Sequence, residues 1–283
     1  MQKKLHANIK PITINAGKTP ISRVKLKLDN RKPIKYDDNS ADTKVSVITC
    51  TNRPKYIKNV FENYHRQLFK DKELIIILNN NKMNINEWIL KSKEYPDISI
   101  FQVDESKSLG YCLNYGIEKA SYEIIAKLDD DDYYGPKYLS QAVNALKYAD
   151  VVGKYTTYVY FQDTKTLAIR NPKRDNRYVY RIEGPTLVFR KEIFNKIKFQ
   201  NKSLGEDNQF CKDCIKNGIK LYATDRYNYV YIRHNSTDKH AWNIRDELYK
   251  KLCKVIGEVD DYISFIEDSK NRNKNSQKKN RPP

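Results

Sequence analysis

Short apolar runs and longer amphipathic segments alternate along the chain from Lys44 onward. Apolar runs of about four to eight residues bounded by turn residues are typical of buried strands, whereas apolar positions repeated every three to four residues predict helices. Strands that alternate with helices at this spacing predict an α/β fold with a mostly parallel sheet and right-handed crossovers. The predicted strands are 45–50, 73–78, 98–103 and 123–128, and the predicted helices are 54–69, 85–95 and 109–120.

The second half of the chain predicts a different arrangement. Its strand-like stretches have little helix between them, which favours a smaller, mixed and partly antiparallel subregion. We expect Trp242–Ile266 to form a helical region that packs back on the sheet, with Gly257 as a weak point. The predicted strands here are 151–161, 166–170, 186–189 and 227–232, and the predicted helices are 137–148 and 206–218.

The loops that follow the first four strands would line one crevice, because the carboxyl ends of parallel strands meet at one edge of a sheet. The last of these loops contains four adjacent carboxylates, Asp129–Asp132. Such groups repel one another and are costly to bury unpaired. A solvated acidic turn is one interpretation. A site for Mg²⁺ or Mn²⁺ is favoured by the preceding strand and the helix led by Pro136, because these ions prefer oxygen ligands and share them with phosphate-bearing substrates.

The order and spacing of four stretches resemble family 2 of the glycosyltransferases. The resemblance covers about residues 44–240 and implies a GT-A fold, with a Rossmann-like, mostly parallel central sheet flanked by helices and a smaller mixed subregion on the acceptor side. It also implies inverting, metal-dependent transfer of a sugar from a nucleotide-sugar donor to an acceptor hydroxyl. The four stretches are Val45–Pro54, Glu73–Asn80, Leu109–Gly116 and Lys127–Tyr134.

This resemblance assigns donor and metal roles to particular residues. It places Thr49 and Asn52 in the pocket for the nucleotide base, and Asp129 and Asp131 at the D-x-D positions, with Asp131 as the first metal ligand. The implied cofactor is Mn²⁺ or Mg²⁺, and Asp130 takes the variable middle position next to the donor. The remaining assignments are Arg53, Asn79 and Asn114 to the nucleotide sugar, His234 to the metal, and Asp132 to the orientation of the metal shell.

Two positions depart from the family pattern. Asn79 stands where family members often have Asp, and an amide both donates and accepts hydrogen bonds whereas a carboxylate only accepts. The nucleotide base is therefore left open. Leu113 replaces a frequent Arg before Asn114, which removes one phosphate contact.

The acceptor side of the resemblance is the sequence Gly205-Glu206-Asp207, which is similar to the acceptor-site E-D motif of the family. The helix that starts there favours ionised carboxylates in its first turn. Asp207 is expected to act as the general base and Glu206 to support it or bind the acceptor, whereas the alternative is a plain helix start. Gly184 is assigned to the acceptor pocket and Arg233 to a phosphate contact. The chain lacks the Q-x-x-R-W motif of processive synthases, so we expect transfer of single sugars.

The formal charge of +18 is concentrated at the ends of the chain. Residues 1–40 contain ten Lys/Arg and three Asp, and residues 270–283 contain six Lys/Arg and no acid. We expect a basic arm (1–43) with a strand-like stretch at 21–28, a glycosyltransferase domain (44–240), a helical segment (241–268) and a disordered tail (269–283). Such ends attract anionic membrane surfaces, polyanionic polymers or nucleic acid, or serve solubility alone.

Two other classes of function remain open at this stage. A nucleotidyltransferase would use the same nucleotide and metal but release pyrophosphate, and a non-catalytic protein would bind nucleic acid or another polyanion through its basic ends. The five cysteines fit reduced thiols, with a metal or redox pair at Cys211 and Cys214 as the alternative. We find no secretory leader and no apolar run long enough for a transmembrane helix, and expect a cytoplasmic protein or one peripheral to a membrane or spore surface. The oligomeric state is left open.

Overall fold

The computed structural model of the chain describes residues 43–234 and 244–267. The expected basic arm up to residue 42, its strand-like stretch, residues 235–243 and the expected tail lie outside the described residues. In the first half, the strands are β1 (Val45–Thr51), β2 (Lys72–Leu78), β3 (Ile98–Gln102), β4 (Ile124–Lys127) and β5 (Tyr133–Tyr134). The helices there are α1 (Ile57–His65), α2 (Ile85–Ser92), α3 (Leu109–Lys119) and α4 (Tyr138–Ala145).

The second half contains more strands than the four that its sequence predicts, and the predicted strand 151–161 is divided into two strands that belong to different sheets. Its helices are α5 (Glu206–Lys216), α6 (Asp246–Lys251) and α7 (Tyr262–Glu267). Its strands are β6 (Val151–Gly153), β7 (Thr157–Phe161), β8 (Thr166–Arg170), β9 (Arg177–Val179), β10 (Val188–Arg190), β11 (Leu221–Ala223), β12 (Tyr229–Arg233) and β13 (Cys253–Glu258).

Two sheets organise these elements. The larger has eight strands in the order β3-β2-β1-β4-β10-β6-β11-β9, and β1 to β4 are parallel to one another. Strand β10 runs antiparallel to both β4 and β6. The smaller sheet, in the order β13-β8-β7-β12-β5, is antiparallel except where β12 pairs with β7. The predicted α/β architecture with a smaller mixed subregion is therefore confirmed.

The buried apolar runs explain the larger sheet. Ile75, Ile76 and Ile77 of β2 are at most 1 % exposed, because helices cover both faces of a parallel sheet. One cluster of buried side chains includes Trp88 on one face, and another includes Phe210 on the other face. Both faces of the sheet are therefore covered, and the parallel strands end together at one edge, where the site lies.

The expectation of a helical segment through Ile266 is wrong in its middle. Strand β13 separates α6 from α7 and pairs antiparallel with β8 at the edge of the smaller sheet. The adjacent β-branched residues Val255 and Ile256 favour a strand, and Gly257, at φ 154°, lies at an irregularity in the register. Pairing with β13 satisfies the backbone hydrogen-bonding groups along the free edge of β8. A helix in place of β13 would leave those groups unpaired. Trp242, where the prediction began, lies outside the described residues.

Cys211 and Cys214 belong to the core. Both are fully buried on α5, and burial raises the pKa of each thiol to about 12. Within the described residues, no group of three His, Cys, Asp or Glu side chains is arranged to hold a metal ion. All five cysteines are free, which fits the expectation of reduced thiols. None of the helices in the described ranges combines the length and apolar character needed to span a bilayer.

Candidate active site

The acidic run lies just beyond β4, and its four carboxylates point to different partners. Asp129 is one-third exposed and forms an ion pair with Lys127. Its backbone N–H donates to the Tyr134 hydroxyl at 2.8 Å, and that hydroxyl donates to the carbonyl of Pro185 at 2.7 Å. These two bonds tie the end of β4 to the turn that precedes β10.

Arg53 holds the next two carboxylates. Its guanidinium pairs with Asp130 and lies 2.8 Å from Asp131, while the Thr51 hydroxyl donates to Asp130 at 2.5 Å. Burial and the neighbouring Asp131 raise the pKa of Asp130 to about 6, against the opposing effect of Arg53 and Thr51. The guanidinium also lies over the ring of Tyr56, 4.6 Å from its centre. A positive side chain therefore already offsets part of the negative charge of the run where a cation was predicted.

Asp132 turns into the protein and is completely buried. Its carboxylate accepts hydrogen bonds from the Tyr229 hydroxyl at 2.6 Å and from the Ile232 N–H at 3.1 Å. Burial, followed by the charges of Asp131 and Asp129, raises its pKa well above the usual range. Asp132 thus links β4 to β12 within the core and does not line the cavity.

The second acidic pair lies at the start of α5. Gly205 precedes the helix at φ 74°, a left-handed conformation that glycine adopts without steric cost. Glu206 is buried, and burial raises its pKa, opposed by the charge of Lys127. The carboxylate of Asp207 packs against Gly184, where an added Cβ would lie 2.2 Å from Oδ2. The absence of a side chain at Gly184 therefore leaves room for the Asp207 carboxylate. The prediction had given this space to a ligand.

Lys127 connects the two acidic groups, and the sequence analysis missed it. It is the last residue of β4, and its side chain is 5 % exposed. Although burial lowers its pKa, the charges of Asp129, Glu206 and Asp207 outweigh burial and raise it. A single lysine in an otherwise apolar strand, two residues before the acidic run, was the available signal.

A cavity of about 930 Å³ brings most of the predicted site together. It lies at the carboxyl edge of the parallel strands, as predicted. The predicted residues that line it are Asn52, Arg53, Asn79, Asp129, Asp130, Asp131, Gly184, Glu206 and Asp207. The lining residues that the sequence analysis missed include Thr51, Lys127, Thr157, Arg170, Arg181, Tyr231 and Tyr249.

Besides Asp132, four predicted residues do not line the cavity. Thr49 is buried two residues short of the end of β1, and Thr51 on the same strand face lines the cavity instead. Asn114 exchanges two hydrogen bonds, of 2.8 and 3.0 Å, with the backbone of Phe199 and so fixes that loop. Arg233 and His234 are the other two, and both have partners in the fold.

Arg233 and His234 follow β12 and hold neighbouring segments. Arg233 is 5 % exposed, and its guanidinium donates to Asp246 and to the carbonyl of Ile244, which anchors α6. His234 Nε2 lies 2.9 Å from the backbone carbonyl of Asp131, and Nδ1 lies 3.1 Å from the side chain of Gln162. His234 Nε2 therefore contacts the backbone carbonyl of the proposed metal ligand.

A parallel sheet with carboxylates after its fourth strand and an acidic helix start in one cavity is the arrangement of GT-A glycosyltransferases. The profile of glycosyl transferase family 2 matches residues 46–201, which is more than half of the chain. The chain belongs to this family.

Curated relatives match only part of their length. The chain is 32% identical over 114 residues to a poly-β-1,6-N-acetyl-D-glucosamine synthase of Staphylococcus aureus, a match that covers 39% of this chain and 27% of that protein. An uncharacterized glycosyltransferase of Nostoc sp. is 31% identical over 114 residues, which cover 39% of this chain and 35% of that protein. The aligned part is thus about a quarter to a third of these relatives.

Solved structures share the fold. S. aureus TarS 1–349 in complex with UDP-GlcNAc has a TM-score of 0.57 and 19% identity, covering 74% of this chain and 64% of that one. The mannosyltransferase PcManGT of Pyrobaculum calidifontis, in complex with GDP-Man and Mn²⁺, has a TM-score of 0.54 and 16% identity, covering 72% and 60%. The GT-A fold of this chain follows from these likenesses together with the sheet order.

Proposed function

We propose that the chain transfers a single sugar from a nucleotide-sugar donor to an acceptor hydroxyl, with inversion, a divalent metal and Asp207 as general base. One observation carries this proposal: Asp131 and Asp207 line the same cavity, beyond β4 and at the start of α5. A single displacement needs a site for the leaving diphosphate and a base for the attacking hydroxyl within one space.

The donor set fits a cation that is shared with the substrate. The described residues contain no three-ligand group, but Mg²⁺ is often bound by one or two carboxylates together with substrate phosphates. Asp131 and Asp129 would supply those carboxylates, both at the cavity surface. The bound cation would offset the negative charge of the departing diphosphate.

The residues of the chain divide the remaining work. Asp207 would take the proton from the acceptor hydroxyl while that oxygen attacks the anomeric carbon opposite the leaving group. Lys127 places a positive charge near both acidic groups, and Gly184 leaves room for the Asp207 carboxylate. Arg53, at the other end of the run, is positioned to exchange an aspartate contact for a donor phosphate.

The comparisons support the donor class. Among proteins with this fold, one structure contains UDP-GlcNAc and another contains GDP-Man with Mn²⁺. They differ in base, and Asn79, whose amide donates to the Asp104 carbonyl at 2.8 Å, lines the cavity as the predicted base contact. We therefore leave the base open. A cytoplasmic location, with attachment to anionic surfaces through the basic ends, stays a prediction.

Product analysis tests the proposal. The protein is incubated with Mn²⁺ and a panel of UDP-, GDP- and dTDP-sugars, with water as the acceptor of the sugar, and the nucleotide products are separated. We expect release of a nucleoside diphosphate with one of these donors, strongly reduced in Asp207→Asn and unchanged in the control Asp213→Asn on the same helix. Release of pyrophosphate would instead assign a nucleotidyltransferase. Equal rates in Asp207→Asn and in the unchanged protein would contradict the assignment of Asp207 as general base.

A further inference from the structure

Two arginines line a part of the cavity that the proposed displacement does not use. Arg170 ends β8, Arg181 follows β9, and both meet the carboxylate of Glu183. Arg181 donates to Glu183 at 2.6 Å, and Arg170 lies 3.9 Å from the other oxygen of the same carboxylate. One carboxylate thus faces two guanidinium groups, which leaves an excess of positive charge. We call these three residues the arginine cluster.

The arginine cluster adjoins the proposed base. Glu183 directly precedes Gly184, the residue against which the Asp207 carboxylate packs. Both arginines and Asp207 also line the same cavity. An acceptor whose hydroxyl reaches Asp207 would therefore place its neighbouring groups next to the guanidiniums.

Aromatic side chains hold the guanidiniums in place. Arg170 donates to the Tyr249 hydroxyl at 2.6 Å and lies over the Tyr249 ring, 5.1 Å from its centre. Arg181 lies 5.9 Å from the ring centre of Tyr155, and 36 % of its side chain is exposed. A guanidinium fixed in this way presents a planar set of donors that matches the oxygens of phosphate or carboxylate.

The positive charge continues into the loop between β8 and β9. Between Arg170 and Arg181 the chain adds Lys173, Arg174 and Arg177 and only one acid, Asp175, which is paired with Arg226. The buried Thr156 fixes the loop, because its hydroxyl donates to the Asn171 carbonyl at 2.7 Å and accepts from the Arg174 N–H at 3.1 Å. The positive potential at the cavity therefore belongs to an ordered surface.

We infer that the acceptor carries an anionic group, a phosphate or a carboxylate, beside the hydroxyl that receives the sugar, and that Arg181 and Arg170 bind this group. The inference rests on the proposed function, because Asp207 as base defines where the acceptor hydroxyl lies. An anionic group on the acceptor would balance the two guanidiniums that face the single carboxylate of Glu183.

Binding of matched small molecules tests the inference. Glycerol 3-phosphate is compared with glycerol, and glucuronate with glucose, by NMR titration of the full chain with and without a saturating nucleoside diphosphate and Mn²⁺. We expect at least one anionic probe to bind about tenfold more tightly than its neutral match, and Arg181→Gln to remove most of that difference, since charge-assisted hydrogen bonds are stronger than neutral ones. The preferred pair then tells phosphate from carboxylate.

A matched control and four outcomes decide the test. Arg190→Gln removes an arginine of similar exposure that pairs with Asp150 outside the cavity lining, and it should leave probe binding unchanged. Equal binding of anionic and neutral probes would overturn the inference. So would displacement of the anionic probe by the nucleoside diphosphate, or an Arg181→Gln variant that weakens nucleotide binding alone. Failure of the nucleotide to bind would count against the proposed function, while the titrations without nucleotide still decide the charge preference.

Discussion

The cavity contains two charged clusters that are built in opposite senses. Around Arg53, one guanidinium contacts two carboxylates, Asp130 and Asp131. Around Glu183, one carboxylate faces two guanidiniums, Arg170 and Arg181. We call the first the aspartate cluster. Each cluster is held by its own counter-charge and still presents an excess, negative in the first case and positive in the second. Under the proposed function, the same cavity would bind a cation at the aspartate cluster and an anionic group of the acceptor at the arginine cluster.

The largest expected effect comes from removing the proposed metal ligand of the aspartate cluster. Asp131→Ala should lower transfer by roughly 10⁴-fold, because a bound cation contributes several kcal/mol of charge stabilisation to the departing diphosphate. Initial rates with the active donor measure this, and Asp150→Ala, at the surface, is the control. Normal turnover in Asp131→Ala would contradict the metal assignment.

The next largest effect distinguishes the role of Asp207 as general base from a role in donor binding. Asp207→Asn should lower the transfer rate by about 10³-fold and leave nucleoside diphosphate binding unchanged, because only proton removal is lost. Rates and calorimetric titration of the same preparations measure the two quantities. A parallel loss of nucleotide affinity would place Asp207 with the aspartate cluster and break the comparison.

Gly184→Ala tests how the base is positioned next to the arginine cluster. An added Cβ would lie 2.2 Å from Oδ2 of Asp207 and so displace the carboxylate. We expect a loss of about 10²-fold in rate, as for a displacement of about 1 Å of a catalytic group. Combined with Asp207→Asn, the change should add little. Additive losses in the double variant would show that Gly184 acts on something else.

Arg53→Gln tests whether the guanidinium stabilises the aspartate cluster. Asp130 and Asp131 would lose their counter-charge, which should lower the free energy of unfolding by about 3 kcal/mol, because unpaired buried charges are strongly destabilising. Mn²⁺ should restore part of the melting temperature in the variant, since a cation replaces the guanidinium. Thermal unfolding with Mn²⁺ or EDTA decides this, and an unchanged melting temperature would show that Arg53 does not hold the cluster.

The smallest effect is the pH response of Asp130. Its pKa of about 6 in the folded chain exceeds the ordinary aspartate value of 3.8, so the folded state binds the extra proton between these values. Through this group stability should fall as pH rises from about 4 to 6, by at most about 1.4 kcal/mol per pH unit. Asp130→Asn should flatten that slope in urea titrations, and an equal slope in both proteins would contradict the assignment.

Sequence information predicted the two clusters unequally. The aspartate cluster follows one strand directly, so the order of strand, acidic run and Pro136 located it, and Arg53 lies in the loop after β1 on the same edge. The arginine cluster joins the end of β8, the turn before Gly184 and, through Tyr249, helix α6, which are distant in sequence. Their contacts depend on the pairing of β8 with β13, and the expectation of a helix at β13 hid that pairing.

Local spacing also misassigned residues that lie near the edge. Thr49 and Thr51 share a strand face, and only the structure shows which of the two reaches the cavity. Asn114 lies in one of the four stretches that resemble the family, but its side-chain amide donates to the backbone carbonyl of Phe199. The fold, which depends on repeated periodicity, was predictable; the partners of single polar side chains were not.

Calorimetric titration of nucleoside diphosphates tests the central claim most directly. With Mn²⁺ present, we predict that one of UDP, GDP and dTDP binds with a micromolar dissociation constant, and that EDTA or Asp131→Ala weakens this binding at least about tenfold. Binding that is absent for all three, or indifferent to both the metal and Asp131, would contradict the account.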